Sequence, residues 1–319
     1  MTVVGEELTA ELAALAAGVS GVPEAEAEVL ADRPDGTVVR SGALVAKAHA
    51  PDTDREALAV RLAVAAHPLL RGILLAPLPA PAAPAPLTPS PAPFTASLLR
   101  GRPVTTWPLG EPVDRQEPDG APWEDAAVLL ARLHAVPPHA LPSPLPPMRG
   151  PAKAARAVAR MAAGAPSPAA GTVLRAWARL PDWARDEAPQ PRADTLCHGD
   201  LHLGQLVRHP VPGGPWRLID VDDLGIGDPA WDLARPAMWF ATGLLDPDAW
   251  TRFLGAYRAA GGRAVPADGD PWPSLDVPAR ALTVQSAALA VVRAAREDRP
   301  LDEVEQDLTA ACARIADVS

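Results

Sequence analysis

The 319-residue sequence contains no asparagine, and only two of its 29 basic residues, Lys47 and Lys153, are lysines. It has just two cysteines, Cys197 and Cys312. Two cysteines form no disulfide framework, which fits a reduced, cytoplasmic setting. No apolar run approaches the roughly 18 residues of a membrane span. The first basic residue is Arg33, so the amino end lacks the cationic start of a secretory signal. Positive charge is also short: 29 basic against 39 acidic residues leaves a net charge of −10. This balance argues against a nucleic-acid or anionic-membrane partner. Nothing in the sequence sets an oligomeric state. In an arginine-, alanine- and proline-heavy background, the rare lysines raise a question of chemistry.

The length suits one large unit or two lobes. Residues 2–31 read as an acidic amphipathic helix broken near Gly18–Pro23. Thr37–Arg40 and Ala43–Ala48 read as a hairpin. Asp52–His67 reads as a helix, with Thr53 and Glu56 placed for a capping box. Ile73–Leu75, Thr95–Leu99 and Pro103–Trp107 are strand candidates. Between them, eight prolines fall within Pro77–Pro93, favouring extended backbone as a stiff connection or a linker. Helices are expected at 123–136, 152–163, 169–185, 246–260, 278–296 and 301–316. Thr195–Cys197 and Arg217–Ile219 are expected as short strands around a polar loop.

That loop carries the chemistry. It runs His198-Gly199-Asp200-Leu201-His202-Leu203-Gly204-Gln205, then Ile219-Asp220-Val221-Asp222-Asp223, then Gly227-Asp228-Pro229-Ala230-Trp231-Asp232. Phosphoryl transfer explains this order. It needs a carboxylate to orient the attacking hydroxyl and take its proton, an oxygen ligand five residues on for Mg²⁺, and a second carboxylate after the next strand. Asp200 takes the first place, Gln205 the second and Asp220 the third.

These motifs resemble the aminoglycoside phosphotransferase family, whose pattern is His-Gly-Asp-Leu-His-x-x-Asn, Ile-Asp and Gly-Asp-Pro-x-x-Asp-Leu-Ala. Leu133–His134 resembles a family helix end. The departure is Gln205 for Asn, a variant similar to that of bacterial maltokinases and glucosamine kinases. The resemblance implies an α+β, two-lobed, protein-kinase-like fold. A small β-rich lobe over 1–106 would bind nucleotide, and a larger, mainly helical lobe over 107–319 would hold the catalytic and acceptor sites. It also implies an enzyme using Mg²⁺ and ATP or GTP to phosphorylate a hydroxyl of a small polar acceptor, such as an aminoglycoside, an amino sugar or a sugar. The acidic loop would suit a cationic acceptor.

There is no Gly-x-Gly-x-x-Gly to cover the phosphates; Asp35–Gly36 is the one hairpin tip that suits that role. Lys47 closes a strand where such a fold places a phosphate-binding cation, although it also reads as a plain strand-end charge. Glu56 reads equally as its carboxylate partner or as the capping-box residue. His198 is expected to shape the loop, and the resemblance implies that Asp228 and Asp232 brace it. Asp228 suits a turn before Pro229, and Asp232 a helix cap near Leu233. His202 reads as structural or substrate-facing. Asp222 and Asp223 read as solvated charges or as groups facing the acceptor. Lys153 is given no role.

Two rivals bear on the reading. A two-metal phosphoesterase needs further His and Asn ligands, but His209 is the last His and Asn is absent. A kinase-fold protein that binds nucleotide or metabolite without transfer is the non-enzymatic alternative.

Overall fold

A computed structural model describes residues 3–20, 27–33, 36–79, 96–114, 116–117 and 120–317. The prolines of 80–93, and Asp35 of the hairpin tip, lie outside the described residues. Contacts divide the chain into two compact units. The first holds residues 1–121, 139–146 and 204–222; the second holds 122–138, 147–203 and 223–319.

The first unit begins with helix α1 (Val3–Ser20) and strands β1 (Ala27–Arg33), β2 (Gly36–Ser41) and β3 (Leu44–His49). Residues 27–31, expected as helix, form most of β1 instead. β1 pairs antiparallel with β2, a tertiary bond that outweighs local helix preference. After helix α2 (Arg55–Ala65), strands β4 (Ser97–Leu99) and β5 (Arg102–Pro108) complete an antiparallel sheet of order β1-β2-β3-β5-β4. Side chains alternate across a strand. Ala46 and Ala48 of β3 therefore face the buried cluster of Leu8, Leu12, Ala16, Val39 and Val104, while Lys47 and His49 occupy the opposite face. Leu8, Leu12 and Ala16 recur every four residues and line one side of α1. Arg100 ties α1 to the β4–β5 turn through Glu7 at 2.8 Å and Glu11 at 2.7 Å.

A second, smaller sheet in this unit joins β6 (Glu111–Pro112), β8 (Leu206–Arg208) and β9 (Trp216–Leu218). The Ile73–Leu75 segment docks on β9: Leu218 donates to the Ile73 carbonyl and Leu75 to the Leu218 carbonyl, both at 2.9 Å.

The second unit is mainly helical. α3 (Trp123–His134), α4 (Gly150–Ala162), α5 (Pro168–Trp177), α6 (Ala230–Ala241), α7 (Pro247–Ala259) and α9 (Glu303–Asp317) accompany the long α8 (Trp272–Arg296). α4, α5, α6 and α9 all pack on α8. By length and composition α8 could cross a membrane, but 61% of its most apolar stretch is buried within the fold. It starts six residues before the expected 278, because Pro278 and the preceding turn continue the helix. β7 (Thr195–Cys197) pairs with β10 (Gly225–Gly227), and β9 with β8. The two expected loop strands thus belong to different pairs. The whole is α+β, with a small antiparallel-sheet part and a larger helical part, as a kinase-like fold requires.

The cap of α2 differs from the expected box. Asp54, not Thr53, accepts the backbone N–H of Glu56 and Ala57, each at 3.0 Å. A carboxylate at this place satisfies two otherwise orphaned donors.

Leu12 is fully buried between α1 and the sheet. Leu12→Ala is expected to destabilise the protein by about 2–5 kcal/mol, read as a lower denaturant midpoint. A change below about 0.5 kcal/mol would show that α1 adds nothing to this core.

Candidate active site

In the first unit, Lys47 and His49 share one face of β3, and Thr105 on β5 stands opposite Lys47. Lys47 Nζ lies 2.7 Å from Asp220 Oδ1 and 3.1 Å from Asp222 Oδ2. The backbone N–H of Asp222 donates to Asp220 Oδ1 at 3.3 Å. Burial opposes the charge on Lys47, but Asp220 and Asp222 outweigh it and push its pKa above the ordinary lysine value. Burial would raise the Asp222 carboxyl; Lys47 and His49 instead hold it well below the usual carboxylate range. His49 Nδ1 lies 3.1 Å from Asp222 Oδ1, and its Nε2 lies 2.8 Å from Thr105 Oγ1. Trp107 Nε1 also donates to Thr105 Oγ1, at 3.0 Å.

Gln205 and Asp220 flank the open end of the β8–β9 hairpin. Leu206 pairs with Leu218, and the Ile219 N–H donates to the Gln205 carbonyl at 2.9 Å. The hairpin therefore accounts for the 15-residue separation of the two. Asp220 sits at φ = 64°, a left-handed backbone that Asp tolerates better than most residues. Asp220, Asp222 and the Gln205 amide are hard oxygen donors of the kind Mg²⁺ takes, so the residues present fit that ion. Glu56 is not joined to Lys47. It sits exposed in the first turn of α2, and Lys47 finds its carboxylates at 220 and 222 instead.

In the second unit, the loop after β7 is fixed by one carboxylate. Asp232 Oδ2 accepts the His198 N–H and Oδ1 accepts the Gly199 N–H, both at 2.7 Å. His134 Nε2 lies 3.0 Å from Asp232 Oδ2, and His134 Nδ1 lies 2.8 Å from the Tyr257 hydroxyl. That hydroxyl accepts the Ala264 N–H at 2.9 Å. A carboxylate oxygen only accepts, so Nε2 donates to Asp232, and in that neutral tautomer Nδ1 accepts from the Tyr257 hydroxyl. Gly199 has φ = 86°, and a Cβ there would lie 2.4 Å from the Asp223 carbonyl oxygen, so only glycine fits. Asp232 does not cap α6. It lies inside the first turn with its carboxylate committed to the loop, and Asp228 takes the Ala230 N–H at 3.0 Å. Cys197 joins His134 and Asp232 in a triad close enough to hold a metal. Both His134 nitrogens are already hydrogen-bonded, however, and burial keeps the Cys197 thiol protonated.

Asp200 follows this loop. Its Oδ2 is 2.8 Å from Lys153 Nζ and its Oδ1 is 2.6 Å from Arg235 Nη2. Lys153 also reaches Asp223 Oδ2 at 2.6 Å. Burial would raise the Asp200 carboxyl, but Lys153 and Arg235 hold it well below the usual range. Burial, against the pull of Asp200, brings the His202 imidazole down to about 4. Lys153, expected to be idle, is thus bound to the proposed base. Neither it nor Arg235 belongs to a motif. The one signal in the sequence was the rarity of lysine.

A model of the phosphotransferase enzyme family matches residues 35–272. None of the curated proteins matches the chain. Solved structures share its fold. A choline/ethanolamine kinase family protein from Mesorhizobium loti is 18% identical, with 98% of this chain and 95% of that chain covered and a TM-score of 0.54. An aminoglycoside phosphotransferase from Streptomyces rimosus is 24% identical, with coverages of 88% and 98% and a TM-score of 0.55. A spectinomycin phosphotransferase, solved with ADP and spectinomycin, is 14% identical, with coverages of 98% and 97% and a TM-score of 0.58.

The depressed His202 pKa has a consequence for stability. The unfolded chain takes up a proton near pH 6.5, whereas the folded chain resists until about pH 4. The contribution is therefore full above pH 6.5 and falls as the pH drops towards 4. His202→Gln should lose less stability than the parent between pH 7 and 4.5, by on the order of 2 kcal/mol. Parallel unfolding curves across that window would refute the assignment.

Proposed function

We infer the reaction from the family: the chain belongs to the phosphotransferase enzyme family, and we propose that it moves the terminal phosphate of ATP or GTP onto a hydroxyl of a small polar acceptor. The observation that carries this reading is Asp200, held ionised on a loop whose backbone a buried carboxylate fixes. Asp200 orients the acceptor hydroxyl and takes its proton as the oxygen–phosphorus bond forms and the bond to the nucleoside diphosphate breaks. A base with so low a pKa is a weak proton acceptor until late in the reaction. That suits a loose phosphoryl-transfer transition state, in which positioning and charge do most of the catalysis.

Lys153 and Arg235 keep Asp200 in one rotamer by occupying one side of each oxygen, and remaining lone pairs are open to the hydroxyl. Lys47 supplies a compact cation for the nucleotide phosphates. Asp220, with Gln205 as a weaker neutral ligand, would hold Mg²⁺, whose chemistry is to neutralise charge on the phosphate oxygens. Asp222, kept ionised by Lys47 and His49, is available as a further oxygen donor.

Asp200→Asn is expected to leave nucleotide binding nearly intact and to cut turnover by about 10²–10⁴-fold. Lys47→Ala and Asp220→Ala should abolish transfer, with Gln205→Ala partly rescued by higher Mg²⁺. Lys153→Ala should impair turnover, because it removes one of the two cations on Asp200. Labelled nucleotide with a panel of hydroxyl acceptors provides the measurement. Unchanged turnover in Asp200→Asn would remove it from the mechanism. Nucleotide-dependent stabilisation with no transfer to any acceptor would favour the non-catalytic alternative.

A further inference from the structure

The charges around Asp200 do not balance. Asp200 and Asp223 are two carboxylates, and three cations from the same unit attend them: Lys153, Arg235 and Arg149. Lys153 and Arg235 each make two hydrogen bonds. Lys153 bridges both carboxylates, and Arg235 also donates from Nε to the Leu201 carbonyl at 3.2 Å. Arg149 differs. Its one side-chain approach is Nε to Asp223 Oδ1 at 3.6 Å, beyond a hydrogen bond. Among the described residues its two Nη groups have no hydrogen-bond partner. Its side chain is 30% exposed, against 9% for that of Asp223.

The backbone of Arg149 is nevertheless pinned. Its N–H donates to the Asp223 carbonyl and its carbonyl accepts from Lys153, at 3.1 and 2.9 Å. It caps the start of α4, whose first N–H groups add partial positive charge. His202 is neutral above about pH 4 and changes nothing in this count. Around Asp200 and Asp223 the two carboxylates are thus neutralised from within, with one positive charge to spare.

We propose that the acceptor carries an anionic group, a carboxylate or a phosphate monoester, close to the hydroxyl that is phosphorylated, and that Arg149 binds it. The inference rests on the phosphotransferase reading and gives that site a substrate class. A planar guanidinium with both Nη groups open matches two anionic oxygens in a forked pair. A polycationic acceptor would instead place like charges against Arg149 and Lys153, and repulsion of this kind excludes wrong partners. The transfer itself is unchanged: the hydroxyl proton goes to Asp200, the new O–P bond forms and the nucleoside diphosphate leaves.

The test uses the full-length protein and four kinds of probe: gluconate for the carboxylate, glycerol 3-phosphate for the phosphate, glucose as the neutral control, and spectinomycin with hygromycin B as cations. Two readouts are taken, thermal stabilisation by each probe and transfer from labelled ATP with Mg²⁺. At least one anionic probe should stabilise at a tenfold lower concentration than glucose or either aminoglycoside. Arg149→Ala should lose about tenfold of that preference, with Arg149→Lys keeping part of it. The melting temperature of each variant without probe checks that it is folded.

Stabilisation by an aminoglycoside at the lower concentration would overturn the inference. So would stabilisation by no anionic probe, or an anion preference that Arg149→Ala leaves unchanged. Phosphorylation of an aminoglycoside in preference to the anions would keep the phosphotransferase reading and overturn the substrate class. Arg149-dependent anion binding with no transfer to any probe would count against the phosphotransferase reading and overturn the acceptor class with it, leaving only an anion site at Arg149.

Discussion

The buried carboxylate of Asp232 is the constraint on which the second unit's chemistry depends. An ionised carboxylate out of water costs several kcal/mol unless its oxygens are satisfied. Here two backbone N–H groups and one imidazole satisfy them. The demand runs both ways, because the His198 and Gly199 amides are equally buried and would be costly without an acceptor. Neither side can move alone. The chain therefore enters Asp200 from a fixed direction, and Gly199 is required because the turn presses against the Asp223 carbonyl. His134 extends the constraint to Tyr257 on α7, so the loop is referred to the helical core and not to solvent.

The second theme is charge compensation at short range. The chain is acidic overall, yet the carboxylates of the candidate site each have a cation at short range. Lys47 and His49 serve Asp220 and Asp222; Lys153 and Arg235 serve Asp200. These cations hold the Asp200 and Asp222 carboxyls well below the usual carboxylate range. Net charge thus says little about what the acceptor meets. Under the proposal above, positions 149 and 153 decide it, the N-cap of α4 and a residue one turn on, neither of which any motif marks.

Much of this was legible in the sequence, for physical reasons. The β2–β3 hairpin showed as β-branched runs around Ser41–Gly42, and α3 as a period of 3.6 residues. The spacing from Asp200 through Gln205 to Asp220 reflects a loop followed by a hairpin. What escaped was fixed by partners distant in sequence. β1 looks helical until β2 lies beside it. Asp54 and Thr53 are equally good caps by composition, and only the backbone chooses between them. Lys47 stands out because lysine is rare, but its carboxylates come from 220 and 222, which no local pattern links to β3. Lys153 shares that rarity, but nothing near it in sequence is chemical.

The most direct test of this account replaces Asp232 by Asn, an isostere that sets an amide donor against a backbone donor. Amide hydrogen exchange at His198 and Gly199 is measured beside phosphate transfer and nucleotide binding. The account predicts faster exchange at these two amides, transfer lost by at least tenfold, and nucleotide binding retained. Protected amides with transfer intact would contradict the claim that Asp232 holds Asp200 in place.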